Sequence, residues 1–313
     1  MTSVIQTSDL HKHFGAARAL DGLDLTVGEG QVHGFLGPNG AGKSTTLRIL
    51  LGLARATSGQ ARVFGVEPWR NAASLHRRIA YVPGDVTLWP NISGGETIDL
   101  LSRLRGGGQG RAYRESAERL IAAFQFDPRK HGRAYSKGNR QKVALIAAFA
   151  VPAELYILDE PTSGLDPLME VVFRGEIARV RQAGATVLLS SHILSEVELL
   201  CERVSIIRAG RIVDAGTLTE MRHLTRTEVS FAASPIATLA AAQAIPGAAD
   251  AVEDAGRVSV TLASDAVAAS LPTLGAWGVE GLRIAPPSLE ELFLRHYGDA
   301  PSPISGTGSK VGR

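Results

Sequence analysis

An α/β fold is predicted by three observations. Residues 37–45 read GPNGAGKST and lie between a short apolar strand candidate at 31–36 (QVHGFL) and a helical run at 45–53 (TTLRILLGL). Apolar strand candidates then alternate with helical stretches up to residue 218, the pattern of parallel strands joined by crossover helices. Near residue 220 the composition shifts to Ala-rich helices and short strands in the order βαββαβ, which reads as a small C-terminal α+β domain. The 313 residues, 44% hydrophobic and 20% charged, suffice for one large domain and a smaller one. The expected boundaries are 1–219, 220–298 and a Pro-, Gly- and Ser-rich disordered tail at 299–313.

The elements follow in order. Residues 4–10 and 23–27 read as strands ahead of the glycine-rich loop, and 61–63 and 79–82 as strands after the first helix. From about residue 90 to 140 the pattern becomes helical, an insertion into the α/β core. Ser93 with Glu96 forms a capping box that opens one helix. The GGGQG run at 106–110 separates it from a second helix at 113–124. Ser136 is placed to cap a third helix that runs to Ala150. Strands resume at 156–158 and 186–190, and 204–216 reads as a hairpin turning at Ala209 and Gly210. In the C-terminal segment VSF at 229, VSVTL at 258 and a helix at 288–297 (SLEELFLRHY) mark its strands and last helix.

The loop at 37–45 has the spacing G-x-x-x-x-G-K-S, with Gly37, Gly42, Lys43 and Ser44 at the fixed positions. Glycines let the backbone wrap, with Pro38 in the turn, so that successive N–H groups, here those of Asn39, Gly40, Ala41, Gly42 and Thr45, point at phosphate oxygens. Lys43 supplies a point charge for the β- and γ-phosphates, and the Ser44 hydroxyl is a ligand for Mg²⁺. The helix that follows adds the positive end of its dipole. ATP with Mg²⁺ is the expected ligand.

Residues 155–161 read LYILDEP, a buried strand that delivers two adjacent carboxylates. Successive strand residues face opposite ways, so Asp159 and Glu160 can do different work. Asp159 is placed to hold Mg²⁺ with Ser44, and Glu160 to orient and deprotonate an attacking water.

With these motifs in order, residues 3–218 resemble the nucleotide-binding subunit of an ABC transporter, a P-loop ABC ATPase core with a helical signature subdomain. YSKGNR at 135–140 is similar to the family's LSGGQ signature and keeps Ser136 and Gly138; SGLD at 163–166 matches its D-loop. The resemblance implies that Ser136 and Gly138 bind the γ-phosphate held on a second ATP-binding subunit, most simply a second copy of this chain. It implies that His192, in LLSSHILSEVE, is the switch histidine at the γ-phosphate, and that Phe14 stacks on adenine; the residues alone leave a structural histidine and an ordinary core or turn phenylalanine as alternatives. Lys137 reads equally as a phosphate-side charge or a solvated lysine. One position departs from the pattern. After the IAYVP strand the family carries glutamine, and here Gly84 stands in its place, followed by Asp85. The signature variant, the PGDVTLWPNISGGE stretch and the SLEELFLRHY ending resemble daunorubicin- and tetronasin-type resistance ATPases. That implies export by a separate membrane permease, coupled through the helical insertion and residues 83–95, with the subunit on the cytoplasmic face of the membrane. The competing readings are a soluble ABC ATPase of ribosomes or DNA, and a regulatory ATP-binding subunit with weak hydrolysis.

Composition narrows the classes further. A net charge of +2 gives no general pull toward nucleic acid, and none is expected as a partner. The single cysteine, Cys201, sits among apolar residues and reads as a buried small hydrophobe. No signal-peptide pattern opens the chain, and no apolar run reaches the roughly 18 residues of a membrane span.

Overall fold

The computed structural model describes residues 2–223, 227–263 and 266–285. Its contacts divide the chain into two compact units, Met1–Glu220 and Met221–Arg313.

The first unit begins with β1 (Ser3–Phe14), β2 (Ala17–Leu23), β3 (Thr26–Gly28) and β4 (Val32–Leu36). The strand expected at 4–10 is therefore longer and pairs with an antiparallel partner, β2, that the pattern had not revealed. The single strand expected at 23–27 is split between β2 and β3. The Thr7 side chain causes the break: its hydroxyl donates to Leu23 O and accepts from the Leu25 N–H, both at 2.8 Å. After β4 come α1 (Lys43–Leu50), β5 (Ser58–Val63), α2 (Pro68–Leu75) and β6 (Ile79–Val82).

The helical insertion contributes α3 (Gly94–Leu104), α4 (Arg111–Ala123) and α5 (Lys137–Ala150). The capping box at α3 is formed in both directions: the Ser93 N–H donates to Glu96 Oε2 at 2.7 Å, and the Glu96 N–H to Ser93 Oγ at 3.2 Å. The core then resumes with β7 (Leu155–Asp159), α6 (Pro167–Gln182), β8 (Thr186–Ser191), α7 (Leu194–Leu200), β9 (Arg203–Arg208), β10 (Arg211–Thr217) and α8 (Leu218–His223). Pro167 at the first turn and Asp166, whose carboxylate accepts from the Met169 N–H at 3.0 Å, start α6.

The main sheet has the order β10-β9-β4-β8-β7-β6, parallel except for the β9–β10 hairpin. Strands β4, β7 and β8 are buried at every position, as strands covered on both faces must be. A smaller antiparallel sheet joins β1 to β2, β3 and β5. Leu47 and Leu50 of α1 share a core with Ile5, Leu10 and Leu23 of the small sheet and with Ile157, Leu188 and Ile207 of the large one. Cys201 is buried, and a Cβ on Gly34 of β4 would approach its sulfur to 3.2 Å, so the thiol fills core space.

The second unit contains β11 (Thr227–Ala232), α9 (Leu239–Gln243), β12 (Ala248–Asp254), β13 (Arg257–Leu262), α10 (Ala266–Ala276) and β14 (Arg283–Ala285). The order is the expected βαββαβ. Its antiparallel sheet runs β12-β13-β11-β14, a ferredoxin-like arrangement. Val229, Phe231, Val258, Val260 and Leu274 form its own core. The helix expected at 288–297 and the tail at 299–313 lie outside the described residues.

One buried titratable group sits in the central strand. His33 of β4 accepts at Nδ1 from Gln31 Nε2 (3.2 Å) and donates from Nε2 to Ser205 Oγ (2.9 Å). Burial, with the nearby Arg203 charge, pulls it down to about 4 from 6.5. The unfolded chain then binds the additional proton between pH 6.5 and 4, so this contribution to stability is complete above 6.5 and is lost as pH falls toward 4. Urea unfolding across that window is expected to show wild type losing up to about 3 kcal/mol more than His33→Gln; parallel pH profiles would remove the effect.

Candidate functional site

The parallel register gathers the predicted residues. Leu36 of β4 pairs with Ser191 of β8, and Ser190 of β8 pairs with Asp159 of β7. The glycine-rich loop, the acid pair and His192 thus leave the sheet side by side at its C-terminal edge, where open α/β sheets bind ligands.

The loop at 37–45 closes between β4 and α1. Gly42 has φ 115°, and a Cβ there would meet Ala19 O at 2.8 Å; a Cβ on Gly37 would meet Ile207 O at 2.5 Å. Both glycines are therefore required by conformation or by close approach. The β9–β10 turn braces the loop from outside. Ala209 and Gly210 have φ 48° and 78°, the left-handed pair of a type I′ hairpin. The Gly210 N–H donates to Ala41 O at 2.9 Å, and Gly210 O accepts from the Asp21 N–H at 3.0 Å.

Lys43 is buried, with 5% exposure. Its Nζ donates to Gly37 O (2.5 Å) and Pro38 O (3.2 Å) and lies 3.9 Å from Glu160 Oε1. Burial lowers its pKa, and the charges of Glu160 and Asp159 act the other way. A pocket of about 140 Å³ is lined by Ala19, Pro38, Asn39, Gly40, Gly42, Lys43, Ser44, Thr45 and Glu160. That is nearly the set of phosphate-loop residues predicted, joined by the second acid.

Asp159 is buried at 7% exposure, and its Oδ1 accepts from Ser190 Oγ at 2.5 Å. Glu160 adopts φ 46°, a left-handed conformation costly for a residue with a Cβ. It is held by its N–H donating to Ser190 O (3.0 Å) and by its carbonyl accepting from the Ser163 N–H (3.1 Å). His192 Nδ1 stands 3.1 Å from Glu160 Oε1. Glu160 and His192 also line a second cavity, of about 270 Å³, with Ser163, Gly164, Ser191 and Glu196. Burial raises the pKa of Glu196, against hydrogen bonds from Thr162 and Ser191. Ser190 and Glu196 were not visible as site residues in the sequence: Ser190 reads as a strand position, and Glu196 only as part of the stretch around His192.

Other predicted residues lie outside the phosphate-loop pocket. Ser136 caps α5, its Oγ accepting from the Asn139 N–H at 3.3 Å. A Cβ on Gly138 would meet Gly164 O at 2.3 Å, and Lys137 Nζ donates to Ser163 Oγ at 2.8 Å. The start of α5 is thereby packed on residues 163–166 of the same chain; Lys137 is tied to that loop rather than free in solvent. Phe14 ends β1 with 56% exposure and Lys12 Nζ 4.8 Å from its ring centre, which excludes a core role. Gly84 follows β6, and a Cβ built on it would lie 3.3 Å from Asp159 O and 3.7 Å from Asp159 Oδ2. The position where the resembling family carries glutamine therefore abuts the first acid, and in this chain it carries no side chain.

A phosphate loop at one strand end, with two acids and a histidine at the next two, defines a P-loop nucleoside triphosphatase. The ABC transporter family matches residues 20–163. The daunorubicin/doxorubicin resistance ATP-binding protein of Streptomyces peucetius is 39% identical over 223 residues, covering 71% of this chain and 67% of that one. A daunorubicin resistance ATP-binding protein of Streptomyces coeruleorubidus is 34% identical over 306 residues, 95% and 96% of the two chains. The bacitracin transport ATP-binding protein of Bacillus licheniformis is 34% identical over 232 residues, 74% and 75%. A solved ATP-binding subunit of an ABC transporter superposes with TM-score 0.67 at 30% identity, covering 71% of this chain and 92% of its own. A dimeric bacterial ABC transporter cassette shares the fold, with TM-score 0.62 at 21% identity over 68% and 98% of the chains. This chain belongs to the ABC transporter family as an ATP-binding subunit, and it is an ATPase.

The close packing at Gly138 is testable. Gly138→Ala must displace the backbone of residue 164 and is expected to cost about 1–3 kcal/mol in urea unfolding. Gly175→Ala in α6, where a Cβ meets nothing within 4 Å, is expected to stabilise by up to about 1 kcal/mol. Equal effects of the two changes would contradict the packing.

Proposed function

We propose that this chain is the ATP-driven subunit of an exporter of drug- or antibiotic-type compounds, working as a pair on a separate membrane permease at the cytoplasmic face of the membrane. The observation that carries it is the convergence of Lys43, Glu160 and His192 at adjacent strand ends. Relatives named for daunorubicin resistance and bacitracin transport support the class of cargo. Among the described residues no helix is long and apolar enough to cross a membrane.

The loop backbone and Lys43 bind the phosphates of ATP, with Lys43 exchanging the carbonyls of Gly37 and Pro38 for phosphate oxygens. Phe14 offers an exposed ring for the adenine. Glu160 takes the proton of the attacking water, and His192, within hydrogen-bond reach of Glu160, orients that carboxylate and senses the γ-phosphate. Ser136 and Gly138 of the opposite subunit close the site over the γ-phosphate, using the N-terminus of α5. Among the described residues no three His, Cys, Asp or Glu side chains gather as a metal cage. A donor set of one hydroxyl, Ser44, and one carboxylate, Asp159, fits Mg²⁺, a cation that keeps waters and takes its remaining ligands from the nucleotide. When bound, Mg²⁺ neutralises charge on the β- and γ-phosphate oxygens.

The permease is proposed to dock in a groove of about 720 Å³ between the end of α1, the loop after β6 and helices α3 and α5. Its wall includes Leu53, Trp89 and Leu104, exposed at 57%, 50% and 68%. The loop after β6 also carries Gly84 against Asp159, so a partner moving residues 83–95 acts on the first acid. Gly84 favours a second reading, a subunit with weak hydrolysis, which turnover in the assembled complex separates from the first.

Glu160→Gln is expected to lower turnover by about 10²–10⁴-fold with ATP binding retained, measured by phosphate release from the assembled complex and nucleotide binding to the subunit. Lys43→Ala is expected to weaken ATP binding by about 10–100-fold. Normal affinity in that variant would count against the phosphate loop. For the transporter reading, Glu160→Gln protein is trapped with ATP in detergent-solubilised native membranes and its partners are identified. A stoichiometric polytopic membrane protein is expected; ribosomal or DNA-bound partners without one would overturn the reading.

A further inference from the structure

Ser190 stands between the two acids and belongs to neither motif. It lies on β8, is fully buried, and is directly opposite Asp159 in the parallel register. Its side chain and its backbone face different partners. The hydroxyl donates to Asp159 Oδ1 at 2.5 Å, and the carbonyl accepts the Glu160 N–H at 3.0 Å. Two residues further along the chain is His192, 3.1 Å from Glu160. A single residue thus joins the first acid, the second acid and the segment bearing the histidine.

The chemistry gives this hydroxyl a specific consequence. An ionised carboxylate offers two oxygens and rotates about its last bond unless something holds it. The Ser190 O–H occupies Oδ1. The other oxygen, Oδ2, would lie 3.7 Å from a Cβ built on Gly84, a position that carries no side chain. A glutamine there would have supplied a second polar group beside the carboxylate; with Gly84 in that place, the restraint on Asp159 falls to β8. Partners of this kind set the orientation and basicity of metal ligands, and their loss typically costs 10–100-fold in metal affinity or activity.

We propose that Ser190 is a positioning residue for the cation site: it clamps Asp159 through Oδ1 so that Oδ2 is held for the nucleotide-bound metal, and it supports the left-handed turn at Glu160 through its carbonyl. This rests on the reading of Asp159 as the metal ligand. The hydroxyl is separable from the carbonyl by mutation, since Ser190→Ala keeps the backbone bond to Glu160 and removes only the clamp. Ser190→Thr keeps the hydroxyl on a residue suited to a strand.

The test is Mn²⁺ binding to the full chain with a non-hydrolysable ATP analogue, read by electron paramagnetic resonance. It is accompanied by metal-free analogue binding in EDTA and by thermal unfolding. Ser190→Ala is expected to weaken Mn²⁺ binding by about 10-fold or more with metal-free nucleotide affinity unchanged, and Ser190→Thr to restore it. Asp159→Asn separates the two levels of the inference. If Asp159→Asn weakens Mn²⁺ binding and Ser190→Ala does not, the clamp is overturned while the metal ligand stands. If neither variant changes Mn²⁺ binding, Asp159 is not the ligand and the proposal falls with that reading. Equal loss of metal-bound and metal-free nucleotide affinity in Ser190→Ala would make Ser190 a general structural support, which also overturns it.

Discussion

The parallel register of β4, β8 and β7 is the constraint on which the site depends. Pairing Leu36 with Ser191, and Ser190 with Asp159, sets the heights at which three loops leave the sheet. Side chains alternate along a strand, so a one-residue slip would turn Asp159 away from the phosphate loop and put Ser190 on the wrong face. The slip is resisted by burial: every residue of the three strands is inside, and a slip would move each apolar side chain out of its packed place. The chemistry at the strand ends is thus secured by hydrophobic packing several residues away from it.

Around this frame, conformations that are unfavourable in isolation are stabilised by their neighbours. The left-handed backbone at Glu160 is kept by hydrogen bonds from both of its peptide groups. The loop at 37–45 is clamped from outside by the Ala209–Gly210 turn, whose N–H reaches Ala41. Lys43 is drawn inward by two carbonyls and the nearby acids, against the cost of burying its charge. The loop backbone and the turn at Glu160 are thereby held in fixed shapes.

The helical insertion ties into the same core at a second place. Glu176 of α6, almost wholly buried, is clamped by Arg119 of α4 and by Arg179, with N–O distances of 2.5 and 2.8 Å. Those hydrogen bonds hold its carboxyl below the ordinary value even though burial pushes the other way. Separately, the contact of Gly138 on Gly164 packs the start of α5 against residues 163–166 of the same chain.

The sequence by itself determined the short-range motifs and most strands of the central sheet. The G-x-x-x-x-G-K-S spacing needs only backbone conformation and residue type. The acid pair follows from one apolar strand, the Ser93–Glu96 capping box from a four-residue pattern, and the hairpin turn from Ala209 and Gly210. Each is set by interactions among near neighbours in the chain, so it was legible without knowing the fold. The strand expected at 23–27 was misread because the Thr7 hydroxyl that breaks it comes from 16 residues earlier in the chain. Ser190 and Glu196 stayed hidden for the same reason, since their roles come from partners on other elements. Only the tertiary structure decided that Gly84 abuts Asp159, that Lys137 is tied to Ser163, and that one hydroxyl on β8 holds the carboxylate of β7. Such contacts join residues tens of positions apart, and their geometry is fixed by sheet register and packing rather than by any local pattern.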